Sequence, residues 1–218
     1  MRDLEMAFLG KITASMTHEI KNTYAIILES SGLLTDLLTL SQQDSFPPKE
    51  KFHRVLGTID EQVRRGVVLA TRLNQFAHSM DEPVATVKVG DLLELVVALM
   101  QRLARRRGIE LQVIPSSGEI SITSDPFRLQ LVLASVIEEL ADALESGGKI
   151  ILQAPPMPQE VTILLEVQGQ KKGALEDVRE NLSASLKDFL EALGAKLAVL
   201  TPPAPEGIML ITKTPQPA

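Results

Sequence analysis

The segment DPFRLQLVLASVIEELADALESGG, residues 125–148, predicts a helix with well-defined ends. Asp125 is a favoured N-cap residue, Pro126 suits the first helical turn, and the pair Gly147 and Gly148 ends the helical pattern. The segment GDLLELVVALMQRLARRRG predicts a helix before it, and LEDVRENLSASLKDFLEALG predicts one after it. Short runs typical of strands lie between these helices and after them: IELQVI, EISITS, KIILQA, VTILLEV, KLAVLT and GIMLITK. Helices beside a mostly antiparallel sheet predict an α+β two-layer sandwich.

The first 80 residues predict a helical hairpin. Apolar residues recur at spacings of three and four, or a multiple, first at Leu9, Ile12, Met16, Ile20, Tyr24, Ile27, Leu34 and Leu38, then at Phe52, Leu56, Ile59, Val63, Val67, Ala70, Leu73 and Phe76. The segment SQQDSFPPKE, residues 41–50, contains two prolines and separates the two stripes. Two long helices leave apolar surface uncovered, so we expect a second hairpin to complete a four-helix bundle in a homodimer.

The segment HSMDEPVATVKVG, residues 78–90, is polar, contains a proline and loses the helical period. It is interpreted as a linker. We therefore expect two domains, residues 1–82 for dimerisation and residues 83–218 for the mixed helix and strand region.

Composition excludes several classes of function. The chain has 218 residues and no cysteine, which removes disulfides, thiolate metal sites and a cysteine nucleophile. The formal net charge of −6 argues against nucleic-acid binding, which needs a concentrated excess of Lys and Arg. No apolar run approaches the roughly 20 residues that a membrane span needs. We expect a cytoplasmic protein with neither nucleic-acid nor membrane partners.

The segment LGKITASMTHEIKNTYAII, residues 9–27, contains the candidate catalytic residues His18, Glu19 and Asn22. On a helix these three side chains project from one side, and the apolar stripe runs along the other. An exposed imidazole is largely neutral at cellular pH and offers a free ring nitrogen to a phosphoryl group. Glu19 is placed to hold the other ring N–H, and Asn22 to orient a water or a phosphoryl oxygen. A zinc site is not supported, because no second histidine lies at i+4.

The segment LGKITASMTHEIKN resembles the phosphoacceptor box of two-component sensor histidine kinases of the nitrogen-regulation type. The resemblance implies that His18 is phosphorylated, that Glu19 assists, and that Asn22 supports phosphatase activity. The family usually has Pro-Leu after this asparagine, where this chain has Thr23 and Tyr24.

The second domain resembles the ATP-binding domain of the same kinases, since the Asp-Pro-x-Arg-Leu entry is present at Asp125, Pro126, Arg128 and Leu129. The positions that the family uses for nucleotide differ. The two expected asparagines, one of them a magnesium ligand, fall on Ser135 and Glu139. Val167 replaces the adenine-binding aspartate, and of the following glycines only Gly169 remains, with Lys171 at the second. The second glycine box falls on Glu180 and Leu182, and the segment before it is short for an ATP lid.

A phosphoacceptor site beside an altered ATP site is similar to the dimeric histidine phosphotransferases of bacterial phosphorelays. That resemblance implies transfer between response-regulator aspartates through His18, with no cofactor bound by this chain and Mg²⁺ supplied by the partner receiver domain. Two alternatives remain open. One is a divergent sensor histidine kinase that still binds ATP, and the other is a non-catalytic pseudokinase regulator or phosphatase.

Overall fold

The computed structural model describes residues 2–40, 49–157, 160–200 and 204–213. The helices are α1 (Arg2–Leu40), α2 (Lys49–His78), α3 (Val89–Arg106), α4 (Pro126–Ala143), α5 (Leu175–Ser185) and α6 (Lys187–Ala192). The strands are β1 (Ala85–Lys88), β2 (Glu110–Val113), β3 (Ser121–Ser124), β4 (Lys149–Gln153), β5 (Glu160–Gln168), β6 (Ala195–Leu200) and β7 (Gly207–Lys213).

Five strands form one sheet in the order β2-β4-β5-β7-β6. The β2–β4 pair is parallel, and the other three pairs are antiparallel. Helix α4 presents a nearly continuous buried surface in this region, with Leu131, Val132 and Leu140 fully covered. Its first turn is capped as expected, because the Asp125 carboxylate accepts a hydrogen bond of 2.9 Å from the Arg128 backbone N–H. The predicted α+β fold, helical at the start and mixed afterwards, is confirmed.

The chain forms two compact units, Met1–Gly10 with Gln75–Ala218, and Lys11–Asn74. In the larger unit three aromatic rings pack together, Phe8, Phe76 and Phe127, with centroids 5.5 to 5.9 Å apart. These rings group the beginning of α1 and the end of α2 with the mixed region. The expected domain division at residues 82 and 83 stays a prediction.

Two local expectations are corrected. The linker expected over residues 78–90 contains β1, which pairs antiparallel with β3 in a separate two-stranded sheet. Its four residues are too few to show a pattern, and its partner lies beyond α3 and β2.

The single helix expected after β5 is two helices, because the backbone leaves helical geometry at the buried Leu186. The turn expected at residues 41–50 lies largely outside the described residues, as does Thr201 of the strand KLAVLT.

The smaller unit contains most of α1 and α2, and only part of each apolar stripe is covered there. Ile12 and Met16 of the predicted stripes are buried, as are Thr23 and Val55, which the stripes did not include. Other apolar positions of the predicted stripes are exposed in the single chain: Tyr24, Leu38, Leu56, Val63 and Val67. Helix α1 continues through Thr23 and Tyr24, where the related kinases usually have Pro-Leu.

Candidate functional site

His18 lies on the exposed side of α1, as the helical period predicts. Two of the buried residues nearest to it along this helix, Met16 and Thr23, lie on the opposite side. His18 comes two residues after Met16 and five before Thr23, which places it roughly half a turn around the helix from both. A regular helix therefore presents the imidazole to solvent.

Asn22 contacts the imidazole directly. Its Nδ2 atom lies 3.2 Å from the His18 Nδ1 atom, one helical turn away. An amide has a donor on one side and an acceptor on the other, so rotation of the Asn22 amide serves either tautomer of the ring. With the amide oxygen turned to Nδ1–H, the lone pair is on Nε2. This contact orients the ring, and Nε2 is the ring nitrogen that Asn22 does not contact.

Glu19 is directed towards α2. Its Oε2 atom lies 3.4 Å from an Arg65 guanidinium nitrogen, and its side chain is only 14% exposed. In the structure Asn22 therefore contacts Nδ1 of His18, whereas the sequence had suggested Glu19 for this contact. Asn22 lies one helical turn above His18, while the Glu19 side chain extends towards Arg65.

The position of Arg65 depends on the packing of α2 against α1. The next residue, Gly66, lies against Thr23, because a Cβ on this glycine would be 3.5 Å from the Thr23 methyl carbon. Thr23 is buried and donates a hydrogen bond of 3.0 Å to the Glu19 carbonyl oxygen. Sequence reasoning missed Arg65, because nothing in the run QVRRG distinguishes it from its neighbour Arg64.

The neighbouring arginine has a different partner. Arg64 donates to the Asp60 carboxylate at 2.9 Å, one turn earlier on α2. The hydrogen bond from Arg64 to Asp60 and the negative charge of that carboxylate raise the pKa of Arg64. The two adjacent arginines thus pair with different carboxylates. Of the two, Arg65 is the one that pairs with a candidate catalytic residue.

The residues at the positions expected to bind nucleotide lie on α4, β5 and α5. Glu139 is exposed on α4, and Val167 is buried near the end of β5. Leu182 on α5 is 2% exposed, and Glu180 pairs with Arg179 at 3.2 Å. Because α5 packs against α4, Leu182 belongs to the apolar core of this unit.

Gly169 has a backbone reason to be glycine. Its φ is +122°, and a Cβ there would lie 3.0 Å from the Gly148 Cα atom. Both features disfavour any larger residue. Its retention therefore follows from the fold and does not by itself indicate nucleotide binding.

The described residues contain no group of three or more His, Asp or Glu side chains arranged to hold a metal ion. Among the helices described, none combines the length and apolar character needed to cross a membrane.

Neither the protein-family models nor the curated proteins gave a match to this chain. Solved structures did. Acinetobacter baumannii histidine kinase AdeS is similar over 91% of this chain and 98% of its own, with a TM-score of 0.50 and 12% identity. The chain has a histidine kinase-like fold.

Two further structures are similar over different extents. Histidine kinase ThkA, solved in complex with response regulator protein TrrA, matches 97% of this chain and 63% of its own, with 19% identity and a TM-score of 0.48. The ATP-binding domain of PrrB from Mycobacterium tuberculosis matches 63% of this chain and 100% of its own, with 19% identity and a TM-score of 0.48. At 12% identity the likeness to AdeS concerns the fold, and function must be argued from the site.

Proposed function

We propose that the chain is a phosphorelay histidine phosphotransferase, which passes phosphoryl groups between response-regulator aspartates through His18 and does not use ATP. The observation that supports this most directly is the exposed His18 imidazole on α1, held at Nδ1 by Asn22 at 3.2 Å. A core histidine would be buried, and a ligand histidine would have metal-binding neighbours. This one has neither property among the described residues.

The chemical step is an in-line displacement at phosphorus. The Nε2 lone pair of His18 attacks the phosphorus atom of an aspartyl phosphate, the N–P bond forms, and the P–O bond breaks with its electron pair on the receiver carboxylate. Nδ1 keeps its proton, so the ring becomes a phosphorylated imidazolium. The reverse reaction on a second receiver regenerates His18. This chain supplies the nucleophile and its orientation, and the receiver domain supplies the Mg²⁺.

The same proposal gives the second domain no role in nucleotide chemistry. The resemblance to the kinases places Val167, Glu139, Glu180 and Leu182 at positions for adenine, metal and phosphate recognition. A buried valine offers adenine no hydrogen-bond acceptor, and a glutamate repels a triphosphate. This domain then serves as a scaffold and as part of the surface that docks receivers.

The proposal also includes a homodimer. The exposed apolar residues of α1 and α2 include Tyr24 and Leu28 on one helix and Val63 and Val67 on the other. In each pair the residues are four apart, so they lie on one side of their helix. A second hairpin would cover these residues and complete a four-helix bundle.

A direct test is transfer from a phosphorylated receiver. The purified protein should take up the label in an acid-labile, base-stable form, as a phosphoramidate behaves, and His18→Ala should abolish uptake. An exposed helix residue away from the core typically changes stability by no more than about 0.5 kcal/mol, so the variant should remain folded. His53→Ala is a matched control, since His53 is also exposed and helical.

The assignment of His18 would be wrong if His18→Ala accepted and relayed phosphate at the wild-type rate. Equal loss of uptake in His18→Ala and His53→Ala would contradict it as well, because a general effect on the helices would then explain the result.

A divergent sensor kinase is the second candidate, favoured by the histidine kinase-like fold. It differs in one measurable property, the affinity for nucleotide. Under our proposal, calorimetry with Mg-ATP should detect no saturable binding tighter than about 100 μM, which corresponds to about −5.5 kcal/mol. Tighter binding, together with transfer of label from ATP to His18, would establish the kinase alternative.

A further inference from the structure

Glu19 has one cationic partner in the structure and a second possible partner on the preceding residue. One is Arg65, which contacts its carboxylate in the structure at 3.4 Å. The other is the His18 imidazolium that forms when phosphate is transferred, because phosphorylation at Nε2 leaves a positive charge and a proton on Nδ1. A single carboxylate satisfies only one of them well, so the two cations compete for Glu19.

We propose that Arg65 is a positioning residue that withholds the Glu19 carboxylate from His18, and so keeps the phosphoryl group on His18 transferable. The inference rests on the proposed phosphotransferase function. A relay needs a phosphohistidine that forms and is also consumed. If Glu19 paired fully with the phosphorylated imidazolium, it would stabilise that intermediate and slow the second transfer.

The burial of the pair favours this arrangement. The Glu19 side chain is 14% exposed and the Arg65 side chain 50% exposed, so the carboxylate is largely removed from water while the guanidinium reaches it from the surface. A carboxylate in such a position is stabilised by a nearby cation, and it can turn to another one when the first is removed. The imidazolium on the adjacent residue is that alternative.

Asn22 makes the same arrangement possible on the histidine side. Because Asn22 contacts Nδ1 at 3.2 Å, the imidazole has a partner while Glu19 is engaged elsewhere. An amide is neutral, so it orients the ring without stabilising the positive charge as strongly as a carboxylate does. The resting site thus combines a well-oriented nucleophile with a modest preference for the phosphorylated state.

Arg65→Gln tests the proposal, with Arg64→Gln as the matched control. Both variants remove one positive charge from α2, but Arg64 pairs with Asp60 and its side chain is 78% exposed. Each protein is incubated with a phosphorylated receiver, and the fraction of phosphorylated His18 at equilibrium is measured. Arg65→Gln should raise the equilibrium constant for phosphohistidine about fivefold, the size expected of one partly exposed ion pair, and slow transfer to a second receiver. Arg64→Gln should match the wild type.

Two further variants separate positioning from a general structural effect. Arg65→Lys retains the charge at a single-contact pair and should restore wild-type behaviour. In a Glu19→Gln background, adding Arg65→Gln should have no further effect, because the carboxylate for which the cations compete is gone. A wild-type equilibrium constant in Arg65→Gln, or an effect that persists in the Glu19→Gln background, would overturn the proposal.

A spectroscopic readout is independent of phosphotransfer. Nitrogen-15 NMR of the His18 ring reports the environment of each ring nitrogen, and Arg65→Gln should shift the Nδ1 signal as Glu19 replaces Asn22 as the acceptor of the Nδ1–H. Unchanged ring signals in Arg65→Gln would contradict the positioning role even if His18 proved not to be phosphorylated. Altered signals without any phosphohistidine would instead contradict the proposed function alone.

Discussion

At the residue scale, Gly169 and His18 show that the presence of a motif residue has to be explained separately at each position. Gly169 is the remaining glycine of an expected nucleotide motif, yet its positive φ and its approach to Gly148 explain it without a ligand. His18 has the opposite property. Its exposed position on α1 does not require a histidine, so packing does not explain it.

Gly169→Ala should therefore destabilise the protein, because a Cβ meets the Gly148 backbone and an L residue is strained at φ +122°. We expect a loss of about 1–3 kcal/mol in the free energy of unfolding, measured by urea denaturation. Gly173→Ala is the control, since its Cβ would meet no atom within 4 Å. Equal stability of the two variants would refute the backbone explanation.

At the element scale, helix α4 depends on its cap. Asp125 accepts from the Arg128 backbone N–H at 2.9 Å, and its other carboxylate oxygen lies 3.3 Å from the Arg128 side chain. The cap satisfies a backbone donor that has no partner within the helix, whereas the side-chain ion pair is partly exposed. The two contacts of one carboxylate are thus expected to differ in strength.

Asp125→Ala should lower stability by about 1 kcal/mol through loss of the cap. For a chain of this size the melting temperature should fall by about 2–4 °C. Asp125→Asn retains an oxygen for the backbone N–H and loses the charge, so it should remain close to the wild type. If Asn and Ala destabilised equally in thermal melts, the ion pair and not the cap would be the important contact.

At the scale of the whole molecule, the uncovered apolar face of α1 and α2 supports the proposed homodimer. Val67 is 61% exposed and lies one turn from Val63, which is also exposed. Burial of each such side chain against a second copy would contribute about 1.5–3 kcal/mol. A monomer would leave this surface in water.

Sedimentation should accordingly give about twice 23.8 kDa for the wild type at micromolar concentration. Val67→Glu should shift the protein towards the monomer, because a charge would be buried at the interface. Val84→Glu should not, although Val84 is as exposed (64%), since it lies outside the hairpin. A monomeric wild type would refute the dimer, and dimers of unchanged affinity in Val67→Glu would remove this face from the interface.

The sequence by itself determined the features that arise within one element. Helical spacing predicted α1, α2 and α4, and it predicted that His18 is exposed, because residues three and four apart share a face whatever the rest of the chain does. Asp125 predicted the start of α4 for the same reason, since a cap and its backbone donor are three residues apart. These outcomes depend on local geometry alone.

Only the tertiary structure decided which distant residues meet. The pairing of β1 with β3, the parallel β2–β4 pair and the contact of Glu19 with Arg65, 46 residues apart, join segments whose own patterns do not specify a partner. Such pairings depend on the packing of whole elements, so a single local pattern is compatible with several of them. His18 could be found from its own turn of helix, whereas the residue that positions its neighbour appeared only when α2 was placed beside α1.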